Sequence, residues 1–118
     1  MISHRDFIIT TTPHVEGYKV RQTLGIVSGL TARTRGLGGK FVAGLESMVG
    51  GEVTAFTKEI EKARTEAIER LIENARKMGA NAVISLDIET SEVFEGTILI
   101  SATGTAVVLE REIIPPPP

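Results

Sequence analysis

The chain has 118 residues, of which 42% are apolar and 4% aromatic, and its formal net charge is −2. This length suits one domain, and an acidic balance with few aromatic side chains argues against nucleic-acid binding. The absence of cysteine excludes disulfides and thiolate metal sites. The first residues lack a signal-peptide pattern, and no apolar run approaches the ~20 residues of a membrane helix. We therefore expect a cytoplasmic protein that binds neither nucleic acid nor membranes.

Charge is distributed unevenly along the chain. Residues 1–40 carry six basic and two acidic groups, whereas residues 79–118 carry one basic and six acidic groups. The basic end could bind an anion, or the two charges could compensate each other within or between subunits.

The N-terminal third favours extended structure. A β-prone run over residues 7–12 is ended by Pro13, which has no N–H for a sheet ladder. Residues 18–35 are also β-prone but are interrupted by Gly25 and Gly29. This pattern predicts a long, kinked strand with one or more bulges.

A glycine-rich segment, residues 36–40, follows and predicts a hinge. It fits neither the Walker motif nor the dinucleotide-binding motif. Its backbone N–H groups, together with Arg33, Arg35 and Lys40, could still bind an anion. Residues 41–49 then predict a short helix that ends at a glycine pair.

Residues 54–78 have the three- and four-residue spacing of a long amphipathic helix. Charged residues of both signs cover its other side, which we interpret as solvated. Gly79 follows and can adopt the left-handed conformation that ends a helix. The apolar side consists of Phe56, Ile60, Ala63, Ala67, Leu71, Ala75 and Met78.

Two alternating segments after the helix predict an antiparallel hairpin with its turn at Glu95-Gly96. The second polar face is rich in Thr and Ser, which suits a contact surface as well as it suits water. Residues 115–118 are prolines and predict a tail after a single domain over residues 1–114. The predicted buried faces are Ala82, Ile84, Leu86 and Ile88 in the first strand, and Ile98, Ile100, Ala102, Gly104, Ala106 and Val108 in the second.

Metal ligands are few in this sequence. His4 and His14 lack the spacing of a helical metal pair, and an exposed loop histidine is the simpler interpretation. Asp87 and Glu89 share one strand face and could hold a divalent metal such as Ca²⁺ or Mg²⁺, or they could pair with basic residues across the sheet. Our candidate ligands are therefore His14, Asp87 and Glu89, and no cofactor is identified.

No nucleophile pattern is present: there is no cysteine, no GxSxG motif and no triad-like spacing of Ser, His and a carboxylate. We therefore expect a non-enzymatic protein. An enzyme with its site between subunits is an alternative, prompted only by the cluster of glycine and basic residues near Lys40.

Several short blocks, in order along the chain, carry a family resemblance. The blocks are Thr10-Thr11-Thr12-Pro13, Glu16-Gly17-Tyr18, Leu24-Gly25-Ile26-Val27-Ser28-Gly29, Val49-Gly50-Gly51, Gly79-Ala80-Asn81-Ala82-Val83 and Ala102-Thr103-Gly104-Thr105-Ala106-Val107-Val108. In these blocks the chain is similar to the YbjQ family, an uncharacterised group labelled as heavy-metal-binding. The match covers nearly the whole chain.

The resemblance implies an α+β, two-layer, dodecin-like subunit, in which an antiparallel sheet packs against one long helix plus a short helix. It also implies a ring-shaped homo-oligomer, a pentamer, in which strands extend sheets between neighbours. The Thr-rich strands are consistent with such contacts. Our candidate interface residues are Thr10, Thr11, Thr12, Ser101, Thr103 and Thr105.

Overall fold

A computed structural model describes residues 6–34 and 54–113. The element order is β1 (Ile8–Ile9), β2 (Tyr18–Thr34), α1 (Thr54–Lys77), β3 (Ala82–Phe94) and β4 (Thr97–Arg111). The four strands form one sheet in the order β1-β3-β4-β2. The predicted glycine hinge, short helix and proline tail lie outside the described residues.

The sheet is mixed, so the predicted fully antiparallel sheet is wrong in one strand. Both β2 and β3 pair antiparallel with β4, as the hairpin pattern predicts for β3 and β4. The short strand β1 pairs parallel with β3, through Ile8 with Ala82 and Ile9 with Val83. Helix α1 lies on one face of this sheet, which gives the expected two-layer α+β arrangement.

Helix α1 is held by a row of small and branched apolar residues. Ala63, Ala67, Leu71 and Ala75 recur every four residues and are fully buried, because positions four apart lie on one side of a helix. The helix ends at Lys77, one residue before the predicted end. Beyond it, the Ala80 N–H bonds the Ala75 carbonyl and the Gly79 N–H bonds the Arg76 carbonyl, each at 3.0 Å. These two hydrogen bonds form a Schellman motif, and Gly79 takes the left-handed conformation that the motif requires, with φ of +92°.

The helix approaches strand β2 most closely at Gly29. A Cβ atom at Gly29 would collide with the backbone of Ala67 and of Leu71. Gly29 is therefore a contact glycine between the layers and not the strand interruption that the sequence suggests. Two residues farther along β2, the buried Thr31 hydroxyl donates a 2.8 Å hydrogen bond to the Ala63 carbonyl. These two residues fix the spacing and the register of the helix on the sheet.

Predicted bulges are present in β2, where the pairing register shifts between Val20 and Gln22 and again between Thr23 and Gly25. A further bulge, which the sequence does not indicate, occurs in β3 between Ile84 and Asp87. Within it, Ser85 has a φ of +54°, a conformation that a residue with a side chain rarely adopts.

The β3 bulge breaks the simple alternation that the sequence predicts for that strand. Val83 is wholly buried in the main core, whereas Ile84, predicted for the core face, is only partly buried. The alternation predicted for β4 holds from Ile100 to Ala106 but fails beyond it. Val107 is fully buried in a second cluster with Ala82 and Leu109, while Val108 is half-buried. The partly buried side chains of Ile8, Val15, Tyr18 and Ile84 pack against this second cluster.

Candidate functional site: the open face of the sheet

The face of the sheet opposite α1 carries the predicted polar strand residues. Cross-strand register places Ser28 beside Thr103 and Thr103 beside Asp87. One step along, Leu30 pairs with Ser101 and Ser101 with Glu89. Neighbours directly across a sheet project to the same side. We call this surface the open face, and it consists of Ile26, Ser28, Leu30, Asp87, Glu89, Ser101, Thr103 and Thr105.

Apolar side chains on the open face are exposed. Ile26 retains 82% of its accessible surface and Leu30 retains 48%. By contrast Val27, the next residue after Ile26, is buried under the helix. The open face is thus a mixed polar and apolar surface without a covering layer among the described residues.

A shallow cleft of about 450 Å³ lies in the open face above the β3 bulge. Its base is Gly104, where a Cβ would approach Val83 Cγ1 to 2.5 Å. The same Cβ would lie 3.1 Å from the Ile84 carbonyl oxygen, so glycine leaves room for the β3 backbone where the bulge begins. The cleft is lined by Ile26, Ser85, Asp87, Glu89, Thr103, Gly104 and Thr105.

The metal candidates do not converge within one subunit. Asp87 and Glu89 share the open face as predicted, and both are exposed. His14 is exposed in the loop between β1 and β2. Across residues 6–34 and 54–113, no three His, Asp or Glu residues come together as a metal-binding group. Because Ca²⁺ takes six or more oxygen ligands and Zn²⁺ takes three or four ligands, the described residues of a single subunit do not fit a metal ion.

The anion candidate Arg33 faces the helix, where its charge is matched by two carboxylates. Its Nη2 lies 2.7 Å from Glu66 Oε2 and its Nε lies 3.3 Å from Glu59 Oε2. The hydrogen bond to Glu66 raises the pKa of Arg33, and the same bond from Arg33 lowers the pKa of Glu66. These pairs weigh against Arg33 as an anion ligand. Arg35 and Lys40 lie outside the described residues.

The threonine candidates at the end of β1 are engaged in local bonds. The hydroxyls of Thr10 and Thr12 lie 2.7 Å apart, and the Thr12 hydroxyl donates to the His14 carbonyl at 2.6 Å. The Thr10 carbonyl also accepts a hydrogen bond from the Leu86 N–H, and the Thr12 carbonyl accepts one from the Ser85 N–H in the bulge, both at 3.0 Å. Residues 10–12 thus continue the pairing of β1 along β3, and an interface role for Thr10, Thr11 and Thr12 stays a prediction.

Part of the outer edge of β2 is covered by two helix residues, which the sequence pattern did not single out. Arg70 Nη1 donates to the Leu30 carbonyl at 2.5 Å, and Asn74 Nδ2 donates to the Ser28 carbonyl at 2.9 Å. Their four-residue spacing on one side of α1 is the only sequence signal for this role. Over this stretch the strand edge is occupied by side chains of the same subunit.

Comparison with known proteins identifies the family to which this chain belongs. A sequence model of the YbjQ family, described as "Putative heavy-metal-binding", matches residues 7–110. The chain belongs to the YbjQ family. A UPF0145 protein of Sulfurisphaera tokodaii is 44% identical over 108 residues, which cover 92% of this chain and 95% of that protein. UPF0145 protein SCO3412 of Streptomyces coelicolor is 45% identical over 105 residues, which cover 89% and 99% of the two chains.

The YbjQ family fold also resembles a solved structure. A protein of unknown function from Pediococcus pentosaceus, assigned to the DUF74 family, superposes with a TM-score of 0.59 at 17% identity. The similarity covers 88% of this chain and 98% of that one, and it concerns the fold alone. In the described part of this YbjQ family chain, no helix has the length and apolar composition that crossing a membrane requires.

Proposed function

We propose that this chain is a non-enzymatic, cytoplasmic binding or scaffold protein that works as a homo-oligomer. The observation that carries the proposal is the open face, on which Ile26 is 82% exposed beside Leu30 and a row of hydroxyl groups. Burying one isoleucine side chain stabilises an assembly by about 2 kcal/mol. Exposed apolar patches that are rimmed by polar residues are typical of contact sites between protein chains.

The assembly we propose is a ring of copies, a pentamer as the family resemblance implies. A ring suits a subunit whose described residues leave much of one sheet face uncovered, since neighbouring copies can supply the missing cover. Its partners in this proposal are other copies of the same chain and an unidentified ligand, and they do not include nucleic acid or a membrane. The net charge of −2 and the low aromatic content favour this choice.

Light scattering coupled to gel filtration tests the assembly. We expect the mass of several subunits of 12.7 kDa each at micromolar concentration. Ile26→Glu is expected to weaken association by at least tenfold, because it places a charge on the surface that assembly buries. Lys58→Glu, on the exposed side of α1, is the matched charge-reversal control and should leave the mass unchanged. A wild-type mass of one subunit would refute the proposal.

A second candidate function is metal binding with ligands gathered from several copies. The observation that favours it is the exposed position of Asp87 and Glu89 on one face, so that each copy contributes two carboxylates. Calorimetric titration with Zn²⁺, Ni²⁺, Cu²⁺ and Ca²⁺ tests it, repeated on Asp87→Ala and His14→Ala. Saturable heat that Asp87→Ala abolishes would support this function, and the absence of saturable heat for all four ions would remove it.

A further inference from the structure

Two carboxylates on the open face have no counter-charge within the described part of the subunit. Asp87 and Glu89 are exposed, and within residues 6–34 and 54–113 neither carboxylate forms an ion pair. Strand β3 contains no Lys or Arg, and the open-face residues of β2 and β4 are all uncharged. A ligand of this surface is therefore expected to be a cation.

Each of these carboxylates has a hydroxyl group directly across the sheet. Asp87 pairs with Thr103, and Glu89 pairs with Ser101. The Cβ atoms of directly opposite residues are about 5 Å apart, so a carboxylate and a hydroxyl can accept hydrogen bonds from the same donor group. We call these two sets the acceptor pairs. Because residues rise about 3.3 Å along a strand, the two acceptor pairs are about 6.6 Å apart.

The cleft in the open face limits the size of a ligand. Its volume of about 450 Å³ is within the range of small-molecule sites, roughly 300–1,000 Å³. Ile26 lines the same cleft and is largely exposed, so an aliphatic chain can pack against it. A ligand that complements the cleft is therefore small, carries a cationic donor at each end and is apolar between them.

An ammonium group fits the acceptor pairs better than a metal ion does. Ca²⁺ takes six or more oxygen ligands, whereas an alkylammonium group, like that of lysine, has three rotatable N–H donors. Carboxylates bind such a group through charge-assisted hydrogen bonds, which are stronger than neutral ones. A diamine with a four-carbon chain, the length of the lysine stem, spans roughly the separation of the two acceptor pairs.

We propose that the open face binds a short aliphatic diamine. One ammonium group binds between Asp87 and Thr103. The other binds between Glu89 and Ser101, while the methylene chain packs against Ile26. This inference rests on the proposed function, because it gives the chemical class of the ligand that the binding protein takes on its open face. The ligand is a free small molecule and not a segment of another chain, since a cleft of this volume holds a small molecule.

Calorimetric titration of the full chain with putrescine, the four-carbon diamine, tests the site at low salt. We expect saturable heat with one diamine bound per subunit. Asp87→Asn and Glu89→Gln each keep the shape of the side chain and remove one charge, so each should weaken binding roughly threefold or more. Glu61→Gln, on the exposed side of α1, is the matched control and should bind as wild type does. Circular dichroism verifies that each variant is folded, and binding that neither open-face substitution weakens would overturn the site.

Two control ligands separate a fitted diamine from a general attraction of cations. Butylamine has the same carbon chain with one ammonium group, and Mg²⁺ has the same charge without the chain. We expect each to bind at least about threefold more weakly than putrescine. If Mg²⁺ bound as tightly as putrescine, charge alone would explain the binding and the inference would fail. Equal affinities for butylamine and putrescine would likewise overturn the use of both acceptor pairs.

Light scattering on the same samples separates this inference from the proposed function. A wild type that assembles but gives no saturable heat with putrescine would overturn the diamine site and leave the homo-oligomer standing. A monomeric wild type that binds putrescine, and binds it more weakly after Asp87→Asn, would overturn the homo-oligomer and leave the site standing. If Asp87→Asn weakens assembly while putrescine gives no heat, the carboxylate contacts another copy and the diamine site is overturned.

Discussion

On the helix-covered face of the sheet, single small or polar residues set each contact: Gly29 admits the helix backbone, Thr31 bonds it, and Arg33 binds its carboxylates. On the open face, equivalent positions on the same strands carry Ile26, Ser28 and Leu30, whose side chains remain exposed. One strand thus alternates between a surface fitted to its own helix and a surface without a described partner. The difference indicates that the covered face holds the subunit together, whereas the open face has no covering layer among residues 6–34 and 54–113.

The largest expected effect separates the two faces at neighbouring positions. Gly29→Ala places a methyl group against the backbone of Ala67 and Leu71, so we expect a loss of about 3 kcal/mol in the free energy of unfolding. Ser28→Ala, one residue away on the open face, should change it by less than about 0.5 kcal/mol. Chemical denaturation measures both, and equal losses would contradict the comparison.

A smaller effect is expected at Thr31. Thr31→Val removes the buried hydroxyl and its bond to the Ala63 carbonyl while it preserves the shape of the side chain, so the expected loss is about 1 kcal/mol. Thr103→Val is the matched substitution on the open face, and it should leave the stability of the subunit nearly unchanged. The denaturation midpoints of the two variants give the comparison directly.

The pH dependence of the Arg33–Glu66 pair is expected to be smaller still. Because the hydrogen bond from Arg33 lowers the pKa of Glu66 in the folded chain, the pair stabilises the fold fully above about pH 4.5, the ordinary pKa of Glu66. This contribution is lost as pH falls through the lowered pKa of the folded state. Both side chains are partly exposed, so solvent screening limits the contribution to about 0.5 kcal/mol.

Unfolding curves of wild type and Glu66→Gln between pH 7 and pH 3 test this sign. Their stabilities should differ at pH 7 and converge toward pH 3. Glu69→Gln, on the same helix and without an ion-pair partner among the described residues, is the control. A difference that grows as the pH falls would show that Glu66 does not act through Arg33.

The long helix and the hairpin could be predicted from sequence because their signals are local. The four-residue spacing of the buried alanines and Leu71, the stop at Gly79 and the turn at Glu95-Gly96 each depend on a few neighbouring residues. The β-prone run over residues 7–12 indicated strand β1, but its parallel pairing could not be predicted, since two residues carry no periodicity and their partners at Ala82 and Val83 lie more than 70 positions away.

Part of the candidate surface was also beyond the sequence pattern. Asp87 and Glu89 were correctly placed on one face because strand alternation holds after the bulge. The bulge itself was missed, because Ser85 gives no sign that it adopts a positive φ. The exposure of residues 19–23 in β2 and 89–93 in β3 was missed for another reason. Whether Arg21 and Val93 have neighbours depends on the order of strands in the sheet and not on the residues beside them.

Arg70 and Asn74 also have a consequence for the aggregation of this protein. Their side chains hydrogen-bond the carbonyls of Leu30 and Ser28, so two main-chain acceptors at the edge of this 17-residue strand cannot pair with another strand. A fully open edge of that length would template amyloid-like fibrils with strands stacked in many registers. Because these two acceptors are occupied, any strand that added to β2 would be restricted to the part of β2 before Ser28. Loss of both side chains would accordingly show as thioflavin-positive aggregation of a subunit that still folds.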